Sequence, residues 1–200
     1  MFDGPTGKIR RPNRSLADFI APVTLADGSQ GPPDHIGLFA VTAGLGIEKK
    51  EAQFLADHDD YSAIMLKALA DRLAEAFAER LHQRVRTELW AYAADEKLST
   101  EDLIAEKYSG IRPAPGYPAC PDHGVKRDMF RVLKAEEIGM GLTESMAMTP
   151  AASVSGFYMA QRDAKYFNVG RVGEDQLADW AARQTLAVND ARRRLAPSLG

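Results

Sequence analysis

The stretch that most constrains the fold of this chain runs from about residue 60 to residue 92 and contains neither glycine nor proline. Apolar residues recur in it at intervals of three and four, which places them along one side of a helix. They are Tyr61, Ile64, Met65, Ala68, Leu69, Leu73, Ala76, Phe77, Leu81, Val85 and Leu89. The spacing predicts an amphipathic helix long enough to be the spine of a domain, with a shorter helix over 48–57 leading into it.

Shorter elements are predicted around this spine. Residues 36–42 are β-prone and end at Gly44, which predicts a buried strand, and the segments 142–150, 153–160 and 165–172 are also predicted as strands. Capping and apolar spacing predict helices over 99–108, 126–137 and 175–195. Because helices and strands do not alternate regularly, we expect an α+β fold in which the long helix and further helices pack on a small, mainly antiparallel sheet. Residues 1–14 are expected to be an extended segment and 15–200 the domain.

Composition excludes several classes of function. The 200 residues carry 25 Lys and Arg against 28 Asp and Glu, a net charge of −3, which is unlike a surface that tracks nucleic-acid phosphates. Cys120 is the single cysteine, so no intramolecular disulfide can form. No apolar run reaches the ~20 residues that span a bilayer, and the first residues lack the apolar stretch of a secretory signal. We therefore expect a cytoplasmic protein without a membrane or nucleic-acid partner.

Three charged residues recur at every fourth position of the spine: Lys67, Asp71 and Glu75. Residues four apart share one edge of a helix, so a solvated salt-bridge ladder is one interpretation. The other is that two carboxylates on one edge hold the amine of a ligand or a histidine of a partner.

The segment GIRPAPGYPACPDH (110–123) contains four prolines and cannot form regular structure. It is either an irregular connector or a rigid backbone that holds a ligand at low entropic cost. Arg112 suits bidentate binding of a carboxylate, Gly116 permits close approach of the backbone, and Tyr117 offers an aromatic face.

Two further pairs have open interpretations. Cys120 and His123 could form half of a metal site or a nucleophile with its base, but no second ligand pair accompanies them, and we expect no metal. Tyr166 and Phe167 lie in a β-prone segment, where alternation would send one side chain to the core and the other toward a cavity. No glycine-rich dinucleotide motif, P-loop or H-E-x-x-H motif occurs.

Taken together, four segments closely resemble the C-terminal reactivation domain of cobalamin-dependent methionine synthase. They are YSAIMLKALADRLAEAFAERLH (61–82), GIRPAPGYPACPDH (110–123), LTESMAMTPAASVSGFY (142–158) and RRLAPSLG (193–200). The resemblance implies a site for S-adenosylmethionine (AdoMet) that is used to repair the enzyme. In this family, cob(II)alamin is reductively remethylated to methylcobalamin with an electron from flavodoxin or a similar reductase, while the cobalamin is held by a partner domain.

The resemblance also implies roles for individual residues. Arg112 would meet the carboxylate of AdoMet, and Glu75 its amine. Asp71 would engage the histidine that is displaced from cobalt. The remaining implied contacts come from the backbone at Ala114 and Gly116, from Tyr117 near the methyl group and the corrin, and from Tyr166 and Phe167.

The sequence also departs from the family pattern. Phe167 stands where the family usually has a second tyrosine, and the family domain is longer at its N-terminus, where it contributes an aspartate to the AdoMet site. The D-x-H-x-x-G cobalamin motif is absent, so we expect that the chain does not complete the methyltransferase reaction alone. The alternative is a truncated or divergent relative that acts as a protein-interaction or assembly subunit with weak AdoMet binding or none.

Overall fold

A computed structural model describes residues 13–199 of the chain. Its helices are α1 (Ile47–Ala56), α2 (Asp60–Arg84), α3 (Thr100–Ile104), α4 (Val125–Leu133), α5 (Glu174–Arg183) and α6 (Val188–Arg194), and its strands are β1 (Gly37–Thr42), β2 (Gly141–Leu142), β3 (Met148–Thr149) and β4 (Ser153–Tyr158). Short 3-10 turns cover Leu16–Phe19, Ala135–Ile138 and Ala196–Ser198. The α+β prediction is confirmed. The predicted extended segment 1–14 falls almost entirely outside the described residues.

The spine helix is present, but the side that it buries differs from a simple amphipathic pattern. Asp59 caps α2 by accepting a hydrogen bond from the amide of Ser62 at 3.0 Å, and a π-helical turn, Val85–Leu89, continues the helix beyond Arg84. The residues that α2 buries are small or polar: Ala63, Ala70, Ala74, Ala78 and His82. Small side chains let the helix pack closely on the sheet. Most of its large apolar residues lie on the other sides of the helix and are exposed.

The sheet is built around β4, which pairs with β1 in an antiparallel register that runs from Gly37 opposite Tyr158 to Thr42 opposite Ser153. On the other edge of β4, the backbones of Ile111 and Met159 exchange two hydrogen bonds of 3.0 Å, and the amide of Phe157 donates to the carbonyl of Pro113 at 2.9 Å. The proline-rich segment therefore begins as an edge strand, where a residue without an N–H is tolerated.

The two faces of this sheet carry separate parts of the core. On one face, Phe39, Val41 and Tyr158 pack against Ala78 of α2 and Val85 of the π-helical turn. The other face is covered by α4 and the 3-10 turn that follows it. That cluster contains Ile111, Met129, Phe130, Ala135, Met140, Phe157 and Met159. A third cluster joins α5 to α6 through Leu177, Ala181, Ala191 and Leu195.

Four predicted elements differ from the structure. The predicted helix 126–137 is broken after α4, where Lys134 adopts a positive φ of 52° and a 3-10 turn follows. Residues 165–172 form no strand and are instead tied to the proline-rich segment, because the amide of Val169 donates to the carbonyl of Pro118 at 3.0 Å. The predicted strand 142–150 is a hairpin of β2 and β3. The predicted helix 175–195 is broken between α5 and α6, where Thr185 adopts a positive φ of 55°. Among the described residues, no helix is long and apolar enough to cross a membrane.

Candidate functional site

The proline-rich segment turns sharply after its edge-strand portion. The amide of Tyr117 donates to the carbonyl of Ala114 at 3.3 Å, and the amide of Gly116 donates to the carbonyl of Cys120 at 2.7 Å. Gly116 has a φ of +94°, and a Cβ atom there would lie 2.0 Å from Cε1 of His123. The left-handed backbone favours glycine at this position, and the exposed imidazole of His123 occupies the space where a Cβ atom would lie.

The side chain of Arg112 reaches α2, and two residues of that helix together with Tyr108 hold its guanidinium. Nη2 donates to Oε2 of Glu79 at 2.6 Å, and Nη1 donates to the hydroxyl of Tyr108 at 3.0 Å and to Nδ1 of His82 at 3.3 Å. The backbone amide of Arg112 donates to the hydroxyl of Tyr166 at 3.2 Å. The guanidinium thus has a fixed orientation between the helix, the proline-rich segment and the segment that carries Tyr166.

His82 acts as a neutral acceptor in this cluster. Burial, together with the charges of Arg86 and Arg112, lowers the pKa of His82 to about 2. With Nδ1 accepting from Arg112, the proton lies on Nε2, which donates to the hydroxyl of Tyr92 at 3.2 Å. The ring also stacks on Tyr158 with a centroid distance of 5.1 Å. A neutral imidazole places no second positive charge next to the guanidinium.

Arg112 itself stays protonated. Burial opposes it, but Tyr108 and Glu79 outweigh burial and raise the pKa of Arg112 above its ordinary value. The guanidinium uses three of its five N–H groups in the contacts above, and its side chain is 20% exposed. Two N–H groups therefore remain without a partner among residues 13–199, which is the number that a bidentate carboxylate accepts.

Backbone groups next to Arg112 are also available. Within residues 13–199, the amide of Ala114 and the carbonyl of Gly116 have no hydrogen-bond partner, whereas the amide of Gly116 is already used in the turn. The ring of Tyr117 is 63% exposed beside them. The five residues after Arg112 thus offer a ligand one backbone donor, one backbone acceptor and one aromatic face.

The charged ladder on α2 does not form as a run of salt bridges. Nζ of Lys67 pairs instead with Oε1 of Glu51 on α1, at 2.8 Å. Asp71 and Glu75 are exposed and make no ion pair with any other residue of the described chain. They lie two turns and one turn before Glu79, on the same edge of the helix, so two carboxylates without an ion-pair partner among residues 13–199 line the approach to the Arg112 cluster.

The side chains of the adjacent residues Tyr166 and Phe167 contact different parts of the molecule. Tyr166 contacts the backbone of Arg112, as described above. Phe167 packs edge-on against Phe19, with a centroid distance of 6.2 Å. It also lines a cavity of about 890 Å³ together with Cys120 and Trp180. Of this pair, only Tyr166 joins the Arg112 cluster, and the aromatic contact of Phe167 is with Phe19.

Cys120 and His123 do not form a reactive pair. Burial, with a contribution from Asp122, raises the pKa of the Cys120 thiol to about 11, so the thiolate is scarce at neutral pH. No hydrogen bond joins the two side chains in the part of the chain that the structure describes, and no group of three or more potential metal ligands occurs there. The raised pKa of the thiol argues against the cysteine-dependent interpretation.

Comparison with known proteins identifies the family. The sequence model of the family described as "Vitamin B12 dependent methionine synthase, activation domain" matches residues 6–185. This chain belongs to that family. A solved structure described as "Crystal Structure of the MetH Reactivation Domain bound to AdoHcy" is similar to it, with 53% sequence identity and a TM-score of 0.86. The match covers 92% of this activation domain and 56% of the solved chain, so the present chain spans little more than half of that relative's length.

Three residues of the activation-domain cluster were missing from the sequence prediction: Glu79, His82 and Tyr108. Glu79 continues the every-fourth-residue series Lys67, Asp71, Glu75, so the same spacing signal could have found it. His82 and Tyr108 carry no comparable signal, since their roles depend on where the proline-rich segment meets the helix.

Proposed function

We propose that this activation domain binds AdoMet at Arg112 and presents it to cobalamin held by a partner domain, so that cob(II)alamin is reductively remethylated to methylcobalamin. The observation that carries the proposal is the 53% identity, over 92% of this chain, with a reactivation domain bound to AdoHcy. AdoHcy is what remains of AdoMet after its methyl group has been transferred. The two unused N–H groups of Arg112 fit the carboxylate that both molecules carry.

The proposed contacts follow from the chemistry of the ligand. Arg112 binds the carboxylate, and the unpaired carboxylate of Glu75 binds the amine. The free amide of Ala114 and the free carbonyl of Gly116 supply backbone hydrogen bonds. Aromatic faces near the positive sulfonium come from Tyr117 and Tyr166. Phe167, which packs on Phe19, supports the segment that carries Tyr166 rather than contacting the ligand.

In the proposed reaction, the sulfonium supplies the methyl group, flavodoxin or a similar reductase supplies one electron, and AdoHcy is released. The activation domain contributes binding and orientation, with no side chain acting as a general acid or base. Asp71, exposed near the ligand side of α2, engages the histidine that leaves cobalt. The chain is therefore part of a methyltransferase and is not catalytically complete alone.

Calorimetric titration with AdoHcy tests the ligand site. Arg112→Ala is expected to weaken binding by about 1.5–3 kcal/mol, because it removes a charged hydrogen-bonding partner of the carboxylate. Arg131→Ala is the control, since Arg131 is an exposed arginine on α4 with a side chain 73% accessible, and it should bind as the unaltered protein does. Unchanged affinity in Arg112→Ala would refute the role of this arginine.

A second variant separates ligand binding from reactivation. Asp71→Ala is expected to keep the AdoHcy affinity of the unaltered chain but to slow formation of methylcobalamin when a cobalamin-loaded partner domain, AdoMet and reduced flavodoxin are supplied. The reaction is followed by the loss of cob(II)alamin absorbance. An equal loss in both assays would assign Asp71 to the ligand site instead.

A further inference from the structure

Helix α2 presents an unpartnered row of large apolar side chains, which we call the apolar ridge: Tyr61, Met65, Leu69, Leu73 and Phe77. These residues follow one another at every fourth position, and their exposed fractions are 74%, 39%, 57%, 62% and 50%. A continuous apolar row of this kind on a helix that otherwise buries only alanine and histidine is unusual for a solvated surface. Its residues make no contribution to the three core clusters.

The C-terminal end of the apolar ridge lies on a different side of α2 from the ligand site. At about 100° of rotation per residue, Asp71 and Glu75 lie on one side of the buried Ala74, and Leu73 and Phe77 lie on the other. The C-terminal end of the ridge, Leu73 and Phe77, and the carboxylates of the proposed AdoMet site are therefore on opposite flanks of the same helix. A partner could cover this part of the ridge without covering Glu75.

The geometry of the ridge fits a second helix. Side chains at every fourth position form the rows that interdigitate when helices pack against one another. From Tyr61 to Phe77 the row is about 24 Å long, which a partner helix of four to five turns would cover. Arg72 and Arg80 are exposed on the same outer side, and neither makes an ion pair with another residue of the described chain. The helix that fits here therefore has an apolar stripe with acidic residues beside it.

The length of the solved relative points to the occupant. More than two fifths of that reactivation domain lies outside the region matched by this chain, although the match covers 92% of this chain. We propose that the apolar ridge is the docking face for a helix from that additional part of the domain, supplied on the same polypeptide or as a separate subunit. This proposal goes beyond AdoMet binding and does not depend on it.

Binding to a defined probe tests the proposal. The probe is the part of the solved relative that lies outside the matched region, co-expressed as a separate polypeptide with the complete tagged chain and then measured by affinity capture and interferometry. The unaltered chain is expected to retain the probe. Leu73→Glu places a charge near the C-terminal end of the ridge and is expected to weaken binding at least about tenfold, because the carboxylate would be buried without a partner.

The matched control is Val132→Glu, which introduces the same charge at a residue that is 59% exposed on α4, across the sheet from α2. It should bind the probe as the unaltered chain does. Peroxide oxidation of Met65, followed by mass spectrometry, gives an independent measurement, and the probe is expected to slow it severalfold. Failure of the unaltered chain to retain the probe, equal binding by Leu73→Glu, or a dimer of the chain itself that Leu73→Glu dissociates would each overturn the proposal.

Discussion

At the scale of single residues, the guanidinium of Arg112 has an anionic partner before any ligand arrives. Glu79 holds one N–H at 2.6 Å, and its other oxygen, Oε1, is buried without a hydrogen-bond partner among residues 13–199. Pairing with Glu79 fixes the arginine at a partly buried site, where an unpaired guanidinium would be costly. The two N–H groups that remain can then bind a carboxylate with little further loss of side-chain freedom.

His82 gives this cluster a pH dependence. Its folded-state pKa is about 2, whereas an unfolded histidine titrates near its ordinary value of 6.5. Below pH 6.5 the unfolded chain binds a proton at this histidine and the folded chain does not. The contribution of His82 to the free energy of unfolding is therefore complete above this pH and is lost as the pH falls. Between pH 6 and pH 5 the loss from this group is about 1 kcal/mol.

Urea unfolding at pH 7, 6 and 5 measures this effect. The free energy of unfolding of the unaltered chain should fall more steeply with decreasing pH than that of His82→Gln, which cannot titrate. His58→Gln, which replaces an exposed histidine outside the cluster, should keep the steeper dependence. Parallel pH profiles for the unaltered chain and His82→Gln would show that His82 is not buried as a neutral group.

At the scale of elements, the end of α2 is held by a buried ion pair. Arg86 in the π-helical turn donates from Nε and Nη2 to the two carboxylate oxygens of Glu96, each at 2.8 Å, and the side chains are 0% and 6% exposed. The guanidinium carbon also lies 4.2 Å from the centre of the Tyr108 ring. This pair thereby connects the helix to the same tyrosine that orients Arg112.

Breaking this pair should destabilise the fold strongly. Glu96→Gln leaves the buried Arg86 charge without a counterion, and we expect a loss of about 3–5 kcal/mol in the free energy of unfolding. Arg84 and Glu88 form an exposed pair that spans the same turn, with side chains 46% and 48% accessible, so Glu88→Gln should cost less than about 1 kcal/mol. Equal losses in chemical denaturation would contradict the distinction between the buried and the exposed pair.

At the scale of the whole molecule, the proposed ligand site lies where three chain segments meet. α2 contributes the carboxylates, the proline-rich segment contributes Arg112 and the free backbone groups, and the segment around Tyr166 closes one side through its hydroxyl. A ligand that contacts all three segments only in the folded state must stabilise the entire fold.

Thermal unfolding with added AdoHcy or AdoMet tests this linkage. At a free ligand concentration 100 times the Kd, the stabilisation is expected to be about 2.7 kcal/mol, and the midpoint temperature should rise accordingly. Arg112→Ala should show a smaller rise at the same ligand concentration. Absence of any shift at millimolar ligand would favour the alternative of an interaction subunit that does not bind AdoMet.

Much of this protein could be predicted from local patterns. The spacing over 60–92 gave the spine helix, because helical periodicity is a property of neighbours in sequence. Strand 36–42 was also predicted correctly. The four prolines keep helix out of 110–123, but the expectation that no part of it is regular was wrong at its start, where residues 111–113 pair with the edge of β4. Two further predictions were wrong. Residues 165–172 have the alternation of a strand but no neighbouring strand to pair with, and the helical periodicity of 175–195 is interrupted at Thr185, where the backbone turns out of the helical conformation.

By itself, the sequence determined the fold class, the family, and the residue types that a zwitterionic sulfonium ligand requires. Only the tertiary structure decided which face of α2 is buried, that Lys67 pairs with α1 instead of Asp71, and that Glu79, His82 and Tyr108 hold Arg112. It also decided that Tyr166 and Phe167 separate. The physical reason is that these outcomes depend on contacts between residues distant in sequence, whose energies arise only when the sheet brings α2 and the proline-rich segment together.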